Sequence, residues 1–148
     1  MMDVYSVLKE DHQEGKDLLE ELEQTSNKAM DARERLLAEL KNALETHMFL
    51  EETTFYSALR DSSDTSQLAL KAFEEHQIMR KLLQELDDPF QVNWDGKLKV
   101  LKETLVGHIQ EEETEMFEAA RRVLSDQKTE KLGAEFSTLK AEKSASKA

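Results

Sequence analysis

The chain repeats itself, and the repeat limits what it can fold into. LKNALETHMFLEETTFYSALR (40–60) returns as LKETLVGHIQEEETEMFEAAR (101–121), with Leu, Lys, Leu, His, Glu, Glu, Thr, Ala and Arg at matching places. HQEGKDLLEELE (12–23) returns as HQIMRKLLQELD (76–87). Two helical hairpins are therefore read as copies related by a pseudo-two-fold axis. Apolar residues recur at helical spacing in four segments, about 3–24, 31–60, 65–86 and 94–124. Val4, Leu8, Leu19 and Leu22 form the first inner stripe; Leu36, Leu37, Leu40, Leu44, Phe55 and Ala58 form the second. Leu68, Ala72, Met79 and Leu83 follow in the third, then Leu98, Leu101, Leu105, Met116, Ala119 and Val123 in the fourth. Capping residues at Thr25-Ser26-Asn27 and Asp61-Ser62-Ser63-Asp64, and the stop Asp87-Asp88-Pro89, separate them. Links this short predict an all-α, up-down-up-down four-helix bundle over 1–124. A weaker stripe (Leu132, Phe136, Leu139) predicts a short C-terminal helix, with a frayed tail from Lys143, in 125–148.

All four histidines lie inside the repeat, one per helix. His12, His47, His76 and His108 each occupy a stripe position where Leu is expected. His47 has Glu51 four residues on, and His108 has Glu112. Residues i and i+4 share a helix face. Six polar side chains therefore aim into the bundle, and at 1.5 Å rise per residue their heights agree to within about a turn or so. Buried without partners, such groups would each cost several kcal/mol. A metal removes that cost, and imidazole with carboxylate suits iron, manganese or zinc. Six ligands are too many for one tetrahedral zinc; they fit two metals bridged by the two carboxylates. Glu52, Glu111 and Glu113 lie off the stripe and are expected on a solvated face, with Glu75 near the cavity rim. Met48, Met79 and Met116 are read as core packing. The Glu-x-x-His spacing of ferritin-like dimetal proteins and the His-Glu-x-x-His zincin motif are both absent.

Composition excludes other chemistries. Twenty Lys and Arg against 32 Asp and Glu leave a net charge of −12, which argues against a nucleic-acid partner. No cysteine means no disulfide, iron–sulfur cluster or thiol nucleophile. No apolar run is long enough to span a membrane. The start, MMDVYSVLKEDH, turns acidic too early for a secretory signal, so a cytoplasmic protein is expected.

DH (11–12), HMFLE (47–51), EH (75–76) and HIQEE (108–112) resemble the hemerythrin family, the HHE cation-binding domain, over about residues 3–124. The resemblance implies a bundle around a non-haem pair of iron ions. It implies His12, His47, His76 and His108 as terminal ligands and Glu51 and Glu112 as bridges. The family's oxygen carriers have a fifth histidine, one turn from the third-helix histidine. Here those positions are Ala72 and Arg80, which points away from simple oxygen carriage. The repeat offers a substitute: Tyr56 stands where the second copy has Phe117. It is read as a phenolate ligand or a hydrogen-bond donor beside the metals, and it resembles the bacterial hemerythrin-like proteins with Tyr at that place. That subgroup implies reaction with peroxide, dioxygen or nitric oxide, with catalase-like peroxide decomposition favoured. The alternative is a non-enzymatic dioxygen- or iron-binding sensor. A monomer or weak homodimer is expected.

Overall fold

The computed structural model describes residues 2–26 and 28–146 and is helical throughout, without a strand among those residues. α1 (Val4–Glu23) and α2 (Met30–Glu51) form the first hairpin. A π-helical turn (Glu52–Tyr56) and a last turn, α3 (Ser57–Leu59), prolong α2. α4 (Ser66–Gln84) and α5 (Trp94–Glu111) form the second hairpin, with a π turn (Glu112–Met116) leading into α6 (Phe117–Val123). α7 (Asp126–Ser146) packs on α1 and α2. The up-down-up-down bundle is thus present. Its second and fourth long helices, expected as unbroken, are each interrupted within one residue of the same repeat position.

The caps follow local chemistry. Asp3 caps α1 by accepting a hydrogen bond from the Ser6 amide at 2.9 Å. Thr25 donates to the Leu22 carbonyl at 2.6 Å, and Ser26 Oγ accepts from the Lys28 amide. Asn27, expected as a cap, lies outside the described residues. Arg33, buried, reaches Thr25 O at 2.8 Å and stacks 4.2 Å from the Trp94 ring centroid. Trp94 in turn donates to the Leu86 carbonyl at 3.0 Å. These contacts tie the turn end of both hairpins together.

The core has two apolar clusters. One gathers the turn-end halves of the helices, from Leu19 and Leu44 to Met79, Trp94 and Leu105. The other gathers Val4, Tyr5, Leu8, Leu50, Phe55, Tyr56, Phe117, Leu132 and Phe136. The histidines fall between them along every helix, so a polar layer crosses the middle of the bundle. The inner-stripe residues are buried except Ala58, Leu68 and Val123, which are half-buried. Met48, Met79 and Met116 are core residues.

The C-terminal helix runs 21 residues, longer than its stripe. Leu132 and Phe136 are buried but Leu139 is 37% exposed, contrary to its expected inward position. The inner face continues instead at Lys140, four residues after Phe136. Of the expected frayed tail, 143–146 are helical and 147–148 lie outside the described residues. α7 crosses the start of α1 at Gly133, where a Cβ would sit 2.6 Å from Met2 O and 2.9 Å from the Asp3 carbonyl carbon. Backbone atoms cannot swing aside, so Gly133→Ala is expected to cost about 1–3 kcal/mol by denaturant titration. Gly107→Ala, with nothing within 4 Å, is expected to stabilise by about 0.5–1 kcal/mol.

Candidate metal centre

Each histidine turns one ring nitrogen outward to a carboxylate. His47 Nδ1 donates to Asp11 at 2.5 Å, and His108 Nδ1 to Glu75 at 2.7 Å, within their own hairpins. His76 Nδ1 donates to Glu52 and His12 Nδ1 to Glu113, both at 2.7 Å, across to the other hairpin. An ionised carboxylate only accepts, so these bonds place the proton on Nδ1 and leave Nε2 facing inward. Glu52 and Glu113 are therefore not the solvated residues expected. They occupy matching repeat positions and orient histidines. Arg80 grips Glu52 through two nitrogens, at 2.9 and 3.0 Å. Glu111 is exposed and pairs with Lys71, as its off-stripe position predicts.

All four Nε2 atoms face two buried carboxylates. His47 Nε2 lies 3.3 Å and His76 Nε2 3.1 Å from Glu51 Oε1. His108 Nε2 lies 3.3 Å from Glu112 Oε2, and His12 Nε2 lies 3.2 Å from Glu112 Oε1 and 3.5 Å from Glu51 Oε2. Glu51 and Glu112 are 0% and 2% exposed. Two overlapping donor groups result: Glu51, His76, His108 and Glu112, and His12, His47 and Glu51, each with its ligand atoms within 4.8 Å of one another.

Tyr56 enters this cluster because of the π turn. At 3.6 residues per turn it would sit about 140° around the helix from Glu51. A π turn closes on i→i+5 hydrogen bonds and swings residue i+5 back toward residue i. The Tyr56 hydroxyl donates to Glu112 Oε2 and lies 3.2 Å from Nε2 of both His76 and His108. In the second copy the same turn delivers Phe117 into the aromatic contacts of Tyr5 and Phe55.

The residues fit a bound cation. His12 Nε2, both Glu51 oxygens and Glu112 Oε1 are buried and make no hydrogen bond, although they stand close together. Donors held at about 2.0–2.2 Å from one metal stand about 3 Å apart, which is the spacing found. Six inward donors and a phenol, with four carboxylates behind the imidazoles, form two metal-sized groups that share Glu51.

The field of the carboxylates sets the proton affinities. Burial pushes His12 down, but Glu112, Glu113 and Glu51 override it and raise it from 6.5 to about 12. Burial likewise opposes the rise of His47 to about 9, driven by Glu51 and Asp11, and of His108 to about 10, driven by Glu112 and Glu75. Burial would raise Glu51, yet His47 and His12 hold it well below the usual carboxylate range. Burial, then Glu112 and Glu51, push the Tyr56 phenol well up.

These shifts carry a sign. An imidazole whose pKa is raised on folding stabilises fully below 6.5 and loses that contribution as pH climbs to its folded value. In chelated protein, stability is expected to fall between pH 6.5 and 9, by about 1.4 kcal/mol per pH unit for each imidazole so held. Melting curves across that window test it, and metal-loaded protein is expected to lose the dependence because the cation replaces the protons. A flat or rising curve in the chelated protein would contradict the assigned geometry.

Residues 3–120 match the family model of the hemerythrin HHE cation binding domain. A hemerythrin HHE cation binding domain-containing protein from Mycobacterium kansasii, solved by crystallography, superimposes with a TM-score of 0.82 at 27% identity. That alignment covers 93% of this chain and 85% of the other. A curated protein of Nostoc sp. strain PCC 7120, named DNA nickase, is 27% identical over 145 residues. The match covers 95% of this chain but 40% of that protein, so the chain spans about two-fifths of its length.

Proposed function

The chain belongs to the hemerythrin HHE cation-binding domain family, and from that footing we propose that it holds two iron ions and decomposes hydrogen peroxide. The carrying observation is the double orientation of the histidines, with every Nδ1 on an outer carboxylate and every Nε2 on Glu51 or Glu112. His12, His47, Glu51 and Glu112 would hold one ion. His76, His108, Glu51, Glu112 and Tyr56 would hold the other. Nitrogen and carboxylate donors joined by a phenol suit iron among the metals that imidazole accepts. When bound, an iron pair supplies Lewis acidity and redox capacity to a small oxygen ligand.

The chain's own residues do the rest. Glu51 and Glu112, buried from solvent, fix the spacing of the two donor groups. Asp11, Glu52, Glu75 and Glu113 lock the ring planes and keep the imidazoles strong donors. The apolar clusters on either side of the layer exclude bulk water. Tyr56 takes the place that a further imidazole fills in the oxygen carriers, and a hard phenolate donor favours the ferric state. That preference supports turnover of peroxide over reversible oxygen carriage. In balance, one peroxide gains two electrons and two protons and leaves as two waters; a second gives up the same and leaves as dioxygen.

Oxygen evolution from iron-loaded protein and hydrogen peroxide tests this reading. One dioxygen per two peroxides is expected, well above free iron. In Tyr56→Phe a tyrosinate-to-iron absorption band is expected to vanish and turnover to drop by about tenfold or more. Evolution no faster than free iron, with a reversible spectral change under dioxygen, would replace the enzyme reading with the binding or sensing one.

A further inference from the structure

The two halves of the centre differ in what stands between them and solvent. A cavity of about 290 Å³ opens between α1, α2 and α7 and reaches His12 and His47, past Gly15, Ala43, Ile109 and Lys140. Beside His108 the corresponding cleft holds only about 20 Å³. The His76–His108 side also carries Tyr56, and its outer carboxylates are backed by residues of the bundle itself, Arg80 behind Glu52 foremost.

The His12–His47 side is backed by α7, which lies beyond the family-matched residues 3–120. Two α7 side chains one turn apart bear on His47. Phe136, fully buried, packs against the His47 ring at 5.9 Å between centroids. Lys140 donates to Asp11, whose other oxygen holds His47 Nδ1, and to Glu14 at 2.9 Å. Lys140 is thereby the outer link of a chain that ends on a metal-facing ring, and it also walls the cavity.

We propose that the His12–His47 half exchanges its cation with solvent through this cavity, and that Lys140 is the positioning residue that sets the rate. This rests on the reading that the cluster holds two cations. Removing the ammonium frees Asp11 to turn, loosens the His47 ring and opens the wall. Among the described residues, the His76–His108 half has no opening of that size and its outer carboxylates are held by Arg80 and Lys71 of the bundle, so its cation stays.

The test uses full-length protein loaded anaerobically with ferrous iron, shown by metal analysis to hold two equivalents, then mixed with a coloured ferrous chelator. Release is expected in two phases of one equivalent each. His47→Gln is expected to hold one equivalent and to show the slow phase only, which assigns the fast phase to its half. Lys140→Met is expected to speed the fast phase about 10- to 100-fold, the usual weight of an outer-shell contact, with the slow phase unmoved. Lys140→Arg is expected to restore most of the wild-type rate. Ala43→Met, which fills the cavity without touching Asp11, is expected to slow the fast phase, so the route is tested even where Lys140→Met does not fold. A single phase for both equivalents, or a fast phase that neither Lys140→Met nor Ala43→Met moves, overturns the proposal. Wild-type protein that never holds two equivalents overturns the metal reading beneath it, a separate result.

Discussion

Two carboxylates, Glu51 and Glu112, sit in the buried middle of the bundle with four imidazole nitrogens turned toward them. Everything else in the structure answers to that cluster. An unpaired buried charge costs several kcal/mol, comparable to the whole stability of a domain this size. Protons on the imidazoles or cations between the donors offset the cost. The two apolar clusters above and below bury the layer, which strengthens whatever charge pairing it contains.

The pseudo-two-fold explains how one chain builds such a layer from little information. One hairpin supplies a His before its turn, a His-x-x-x-Glu after it, and two further acids. The fold applies the set twice. Asp11 and Glu75 serve their own hairpins; Glu52 and Glu113 cross over. The π turns also come in a pair, one starting just after Glu51 and the other at Glu112. The symmetry then breaks at two places. Tyr56 and Phe117 receive the same displacement, but only the first has a hydroxyl to bring into the centre. Among the described residues, α7 covers the first hairpin and has no counterpart on the second. A site with chemically distinct halves follows from those two departures.

Much of this was legible in the residues. A histidine in a leucine's place is visible on any stripe, and the repeat shows that four such histidines share one level. The outer carboxylates were harder. Glu52 and Glu113 read as surface because each stands one position off the stripe, and their side chains reach across to a histidine of the other hairpin. Their matching positions in the two copies were the available signal, as were Asp11 and Glu75, each immediately before a histidine. The π turns themselves leave no mark in a hydrophobic pattern, since they arise from packing around the centre. Leu139 is read inward for its apolar character, yet Lys140 takes that place. A lysine stem that buries its methylenes and delivers its ammonium to a buried aspartate reads as a polar surface residue.

The most direct test of the account is a metal titration followed by both binding and stability. Wild-type protein is predicted to take up two equivalents of iron, to release protons as it does so, and to melt at a higher temperature when loaded. Glu51→Leu, which removes the carboxylate shared by both donor groups, is predicted to lose that uptake while remaining folded. Wild-type protein that binds no stoichiometric metal, or a Glu51→Leu protein that binds as well as wild type, would contradict it.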